Sequence, residues 1–246
     1  MENIKVIIAV HKPYHMPSDP IYIPLHVGRE GKSDLGFLGD NIGENISLKN
    51  PNYCELTGLY WAWKNIKADY IGLVHYRRYF SAHRQIARQM DIEHKLAKAP
   101  IILPSPRHYW IETNYSQYAH AHHIQDLVVT REILADKYPA YLQSYDRQMR
   151  CRSGHRFNMF VMRYDLFVSY CDWLFAILFE LEKRLDISGY DAYNARVFGF
   201  VAERLLDVWI KTSGITYTEM PVINTENQHW IRKGTRFVIR KIKGHP

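Results

Sequence analysis

DYIGLVHYRRYF, residues 69–80, opens as a strand with apolar side chains on both faces, Tyr70-Ile71-Gly72-Leu73-Val74, and turns polar within one step at His75-Tyr76-Arg77-Arg78-Tyr79. A strand apolar on both faces predicts a sheet covered on both sides, as in α/β proteins, and such sheets bind ligands beyond the carboxyl ends of their strands. Two adjacent arginines at that edge offer permanent charge and planar donor forks that suit a diphosphate, as at the leaving-group end of a nucleotide-sugar site. A strand end with solvated arginines is the competing reading of the same residues.

Working outward, residues 5–10, KVIIAV, read as a second buried strand that ends at His11-Lys12-Pro13, which puts His11 and Lys12 beside the arginines as candidate contacts to a base or phosphate. A simple strand terminator would look the same. Glycines at 28, 31, 36, 39 and 43, with Asp34, Asp40, Asn41, Glu44 and Asn45 among them, predict a structured loop. Neither a P-loop nor a GxGxxG follows the first strand, so a dinucleotide site of that kind is disfavoured. After Asn50-Pro51, residues 53–66 keep helical spacing through Leu56, Leu59, Tyr60, Trp63 and Ile66. Trp61 lies off that stripe, free either to face a ligand cleft or to pack.

Residues 81–99 predict a surface helix and residues 100–106, PIILPSP, a short strand broken by prolines. Further on, residues 115–123 lead into an amphipathic segment, 124–138, where His122 and Asp126 are four apart and share a helical face. His120, His122, His123 and Asp126 are residue types that ligate metals, but no further ligand pair accompanies them, and an oriented histidine or a helix cap fits the spacing equally. Residues 154–164 predict a strand centred on Asn158-Met159, whose polar group must be paired or face a ligand. An apolar helix over 165–185, a helix over 191–211 carrying Arg196, Gly199, Glu203 and Arg204, and a strand over 215–223 complete the reading. Strands alternating with helices make one α/β domain the economical expectation, residues 1–227, followed by a basic amphipathic tail, 228–246.

Three widely spaced cysteines indicate neither a disulfide framework nor a CxxC metal site. No stretch reaches the roughly 18 apolar residues of a membrane span, and no signal-peptide pattern opens the chain, so the expectation is a protein neither secreted nor integral. The net charge of +7 concentrates in the tail, where Arg232, Lys233, Arg236, Arg240, Lys241 and Lys243 interleave with Trp230, Ile231, Phe237, Val238, Ile239 and Ile242. That pattern suits an anionic membrane surface or a nucleic acid, and a solvated terminal element would show it too.

The segments GDNIGENISLKNPNYCELTGLYWAWKN, YIGLVHYRRYF, HHIQDL, FNMFVM and RVFGFVAERLL occur in this order. Their combination, spanning residues 11–209, resembles the bacterial glycosyltransferases of capsule, exopolysaccharide and O-antigen clusters, whose characterised members are β-galactofuranosyltransferases. The resemblance implies a single-domain GT-A-like, Rossmann-like α/β fold with a mixed, mostly parallel sheet. It also implies UDP-galactofuranose as donor and a lipid-linked or oligosaccharide acceptor, with work at the inner face of the cytoplasmic membrane. It assigns His11, Lys12, Asp40, Asn41, Asn45, His75, Arg77, Arg78 and Arg196 to the donor and Trp61, Asn158 and Asp191 to the acceptor or transferred sugar. GT-A enzymes ordinarily carry a metal-binding Asp-x-Asp where this chain reads His75-Tyr76-Arg77, so arginine cations in place of a metal are expected, a divalent cation remaining open. Inverting transfer needs a base on the acceptor hydroxyl: Glu203, matching the family's acidic motif, or Asp126, with His122 as helper. Two other classes stand beside this one. A basic nucleic-acid-binding protein would bind RNA or DNA with steep salt dependence, and a silent polysaccharide-assembly subunit would turn over no sugar nucleotide.

Overall fold

The computed structural model describes residues 2–226, and the expected basic tail, 228–246, lies outside the described residues. In chain order the elements are β1 (Ile4–Val10), β2 (Tyr22–His26), β3 (Leu38–Gly39), α1 (Asn50–Tyr53), α2 (Leu56–Asn65), β4 (Tyr70–His75), β5 (Arg78–Ala82), β6 (Gln85–Ile86) and α3 (Gln89–Leu96). They continue with β7 (Ile101–Pro104), β8 (Arg107–His108), α4 (Asn114–Ala121), α5 (Gln125–Lys137), α6 (Pro139–Arg150), β9 (Ser153–Gly154), β10 (Phe160–Arg163), α7 (Tyr164–Arg184), α8 (Val197–Ser213), β11 (Thr218–Met220) and β12 (Val222–Asn224).

The central sheet runs β11-β7-β10-β4-β1-β2-β3, and every neighbouring pair is parallel except those made by β10, which is antiparallel to both β7 and β4. The mixed, mostly parallel sheet expected from the sequence is therefore present. Apolar residues alternate between its two faces: Ile7, Ala9, Ile71 and Leu73 pack under α2, α7 and α8, while Ile4, Val6, Ile8, Val10 and Val74 pack into a smaller core with Tyr79, Phe80 and Ile92. Burial on both faces explains why β1 and β4 read as continuous hydrophobic runs. Gly72 sits where β10 comes closest, since a Cβ there would meet the Phe160 carbonyl at 2.9 Å.

Several elements differ from the expectation. Of the surface helix expected over 81–99 only α3 is helical, and residues 81–86 belong instead to the β5–β6 hairpin, reversed at His83 and Arg84, both at positive φ. The predicted helix over 53–66 breaks into α1 and α2 at Cys54, where φ is 52° and ψ is −128°. The strand expected over 154–164 starts only at Phe160, because Phe157 and Asn158 turn left-handed, at φ 74° and 53°. Among the described residues no helix is long and apolar enough to cross a membrane.

Candidate active site

The carboxyl ends of β1 and β4 open into a cavity of about 630 Å³. Its floor is Ala9 near the end of β1, His11 just beyond it and His75 at the end of β4. There His75 pairs antiparallel with Arg78, so Tyr76 and Arg77 form a two-residue reversal that holds both arginines at the cavity. Val27 and Lys32 contribute from the glycine-rich loop, and Asn50, Pro51, Cys54 and Glu55 from α1 and the break before α2. The far wall is Phe157 with Arg196, Gly199, Phe200 and Glu203, on and just before the opening turns of α8. A helix start presents unpaired N–H groups and partial positive charge, both favourable to an anion.

Four cations, Lys32, Arg77, Arg78 and Arg196, face two carboxylates, Glu55 and Glu203, which leaves an excess of two positive charges. Arg78 lies over the Phe157 ring, 4.6 Å to its centroid, and burial and neighbouring Arg77 lower its pKa. His11 is held below the usual histidine range by burial, Arg77 and Lys12. Arg196 donates through Nε to Cys54 Sγ at 3.0 Å; burial opposes its charge, but Cys54 and Glu55 outweigh that and raise its pKa. The Cys54 thiol is pushed up to about 11, by burial first and then by Glu55.

The left-handed Phe157-Asn158 turn ties these parts together. Phe157 N–H donates to Glu203 Oε1 at 3.1 Å, Asn158 Nδ2 donates to Glu55 Oε1 at 2.7 Å and to the Gly199 carbonyl at 3.1 Å, and His75 Nε2 donates to the Phe157 carbonyl at 2.6 Å. That last bond fixes the His75 tautomer. Behind the wall, buried Arg156 donates to the Glu203 carbonyl at 3.3 Å and to Tyr109 Oη at 3.0 Å.

Of the residues singled out in the sequence, His11, His75, Arg77, Arg78, Arg196 and Glu203 line this cavity. Lys12 stands at its edge, 5.1 Å from the Tyr76 ring centroid and ion-paired to Glu226 at 3.1 Å; Glu226 also pairs with Arg77 at 3.2 Å. Asn158 reaches the site through its bond to Glu55. The rest are placed elsewhere. Asp40 is fully buried and accepts from Gly28 N, Arg29 N and Ser47 Oγ, which organises the glycine-rich loop; Gly28 has φ 65°, and a Cβ there would strike Asn50. Asn41 donates to Glu30, Asn45 spans its own loop, and buried Trp61 donates to the Ile42 carbonyl.

Asp126 is buried away from the cavity, accepting from Tyr118 and Tyr190 hydroxyls at 2.7 and 2.6 Å, and burial raises its pKa against those bonds. His122 stacks on Phe200 and Tyr193 behind the cavity wall, and Asp191 accepts from Asn194 N. His120 pairs with Glu112, and among the described residues no group of three or more His, Cys, Asp or Glu is placed to hold a metal ion.

Sequence reasoning passed over Lys32, Asn50, Cys54, Glu55 and Phe157 as site residues. Glu55 falls just before α2, where a carboxylate is favourable on dipole grounds alone and so gives no sign of a site. The available signal was Asn50-Pro51 beside a glycine-rich loop, which marks a helix beginning near a strand edge.

A family model described as a domain of unknown function, DUF4422, matches residues 5–214. The apo structure of WbbM, a bifunctional glycosyltransferase, aligns with a TM-score of 0.85 and 32% sequence identity over 92% of this chain and 46% of that one. The chain thus spans about half the length of that protein. No curated protein matches it. The α/β fold with its mixed, mostly parallel sheet is that of a glycosyltransferase structure.

Proposed function

The chain belongs to the DUF4422 family, and we propose that it transfers a sugar from a nucleotide donor, UDP-galactofuranose, to a lipid-linked or oligosaccharide acceptor in bacterial surface-polysaccharide synthesis. The observation that carries the reading is the pairing, across one cavity, of Lys32, Arg77, Arg78 and Arg196 with the carboxylate of Glu203. Likeness to a bifunctional glycosyltransferase supports it. The cavity volume, about 630 Å³, falls within the roughly 300–1,000 Å³ of small-molecule sites.

In this reading the donor diphosphate lies against Arg77, Arg78 and Arg196 and the opening turn of α8. Guanidinium groups stabilise the charge that develops on the leaving oxygen as the bond from the anomeric carbon to phosphate breaks. Glu203, held by Phe157 N–H, takes the proton of the acceptor hydroxyl while that oxygen bonds to the anomeric carbon from the opposite face, with inversion. UDP leaves as the anion. Glu203 takes the base role over Asp126, whose oxygens are enclosed by two tyrosine hydroxyls. Protein cations stand where a metal would neutralise the diphosphate, so no metal cofactor is required. The protein works at the cytoplasmic face of an anionic membrane, held there in part by its basic tail, and does not use nucleic acid.

The test is release of UDP from a panel of sugar nucleotides with a lipid-linked acceptor present, in excess EDTA. Transfer from UDP-galactofuranose that survives chelation is expected, together with a loss of about 10²–10⁴-fold in Glu203→Gln, which keeps UDP binding. Magnesium-restorable loss in EDTA would defeat the metal-free account, and binding of UDP without turnover of any donor would favour the assembly-subunit reading.

A further inference from the structure

Beyond β7 the chain runs into a two-stranded ribbon, β8 paired with β9; it leaves β8 at Tyr109 and passes through α4, α5 and α6 before it returns as β9. β7 and β4 are both antiparallel to β10 and so point the same way, which places this ribbon at the same sheet edge as the cavity. Just after β8, Trp110 is 88% exposed and Ile111 is 70% exposed, an adjacent pair of large apolar side chains standing in solvent, with exposed Tyr115 following at the start of α4. The charge on the ribbon and its flanks is basic, while Glu112 beside Ile111 is paired with His120, and Glu132 and Asp146 lie on α5 and α6 beside Tyr115 and Arg150. Arg107 and His108 lie on β8, Arg152 lies opposite Tyr109, which donates through its N–H to the Arg152 carbonyl, and Arg150 closes α6. No acid occurs in residues 105–111 or 147–154.

We propose that this ribbon is a membrane-docking element, with Trp110 and Ile111 entering the interface of an anionic bilayer and Arg107, Arg150 and Arg152 against its headgroups. Tryptophan favours the headgroup level, an aliphatic neighbour adds apolar area with no use in sugar binding, and flanking arginines match anionic lipid. The ribbon is also joined to the site: Arg156 bonds both Tyr109 Oη and the Glu203 carbonyl. Docking there would turn the cavity toward the bilayer, where a lipid-linked acceptor resides. That consequence rests on the sugar-transfer reading, whereas the contact itself rests on exposure and charge.

The experiment is sedimentation of the full chain with vesicles of phosphatidylglycerol and phosphatidylethanolamine, and with phosphatidylcholine alone, in the absence of any sugar nucleotide. Wild type is expected to partition onto the anionic vesicles in preference to neutral ones. Trp110→Ala/Ile111→Ala lowers that partition roughly tenfold or more, and Arg107→Ala/Arg152→Ala lowers it roughly fivefold per arginine, both with UDP binding unchanged. Equal partition on the two lipids overturns the proposal. So does an apolar double variant that binds like wild type, the result expected if the basic tail alone holds the membrane or if the patch serves another protein. Failure of sugar transfer with vesicle binding intact would count against the enzymatic reading and leave the docking element standing.

Discussion

Burial and the neighbouring charge of Arg77 oppose the guanidinium of Arg78, while Glu203 and Glu55 support it, so it is a cation held at some cost and available to a stronger anion. Arg78→Ala should lower kcat/KM for the donor about 10²–10³-fold with the melting temperature unchanged. Arg78→Lys should recover only part of that loss, because an ammonium has no planar fork for two phosphate oxygens. Steady-state UDP release beside thermal melting checks both, and wild-type turnover by the alanine variant would remove the diphosphate role. Arg77 is in a different position, because Glu226 already spans it and Lys12. Those bonds lower the Glu226 pKa, the one from Lys12 most, and raise that of Lys12. Glu226 is thus an internal counter-anion at the cavity edge, and Glu226→Gln should tighten UDP binding about fivefold at low salt, an advantage that fades at high ionic strength. Calorimetric titration with UDP at two salt concentrations measures it; weaker binding in the variant would mean that Glu226 orders the cations rather than competing for them.

The turn at Phe157 and Asn158 is the element on which the two carboxylates depend, and its left-handed backbone is why residues 154–164 did not extend as the strand their apolar pattern predicted. Asparagine tolerates that conformation better than alanine, which incurs about 1–2 kcal/mol there. Asn158→Ala should therefore melt below Asn158→Gly, which keeps the backbone free, while both lose turnover because Glu55 loses its donor. Equal melting of the two variants would show that the backbone carries no strain. Periodicity served well where burial decided the structure: β1, β4, β7, α7 and α8 were legible because each buries a continuous face or stripe. It failed where a few local bonds decided. The hairpin over residues 78–86 depends on two positive-φ residues, and β2 and β3 lack a run long enough to stand out.

At the scale of the whole molecule, the site residues legible in the sequence were those set at a strand end or along the start of a helix: His11, His75, Arg77, Arg78, Arg196 and Glu203. Lys32, Cys54 and Glu55 arrive by topology, through the side-by-side pairing of β2, β1 and β4, which spacing along one chain does not encode. The same holds for the buried network around His155, which ties α8 to β11 and α6. His155 Nδ1 lies 2.5 Å from Asp207 and Nε2 lies 3.3 Å from Glu219, Gln148 Nε2 donates to Asp207, and Arg156 stands 3.9 Å from it. Burial opposes the imidazolium, yet Asp207 and Glu219 outweigh it and raise the His155 pKa above its usual 6.5. A histidine that binds its proton more tightly when folded adds stability in full below the unfolded pKa and loses it as pH rises through the folded value. His11, whose pKa is lowered, acts in the opposite sense and loses its contribution as pH falls, so the wild-type profile alone mixes the two. The difference between wild type and His155→Gln separates them. Urea midpoints measured across that range should show wild type well above the variant on the acid side and the gap narrowing as pH rises. A gap that stays constant with pH would mean that His155 is neutral when folded. Because Arg156 links this network to the Glu203 carbonyl, turnover at saturating donor should decline over the same interval in wild type and be low and flat in the variant.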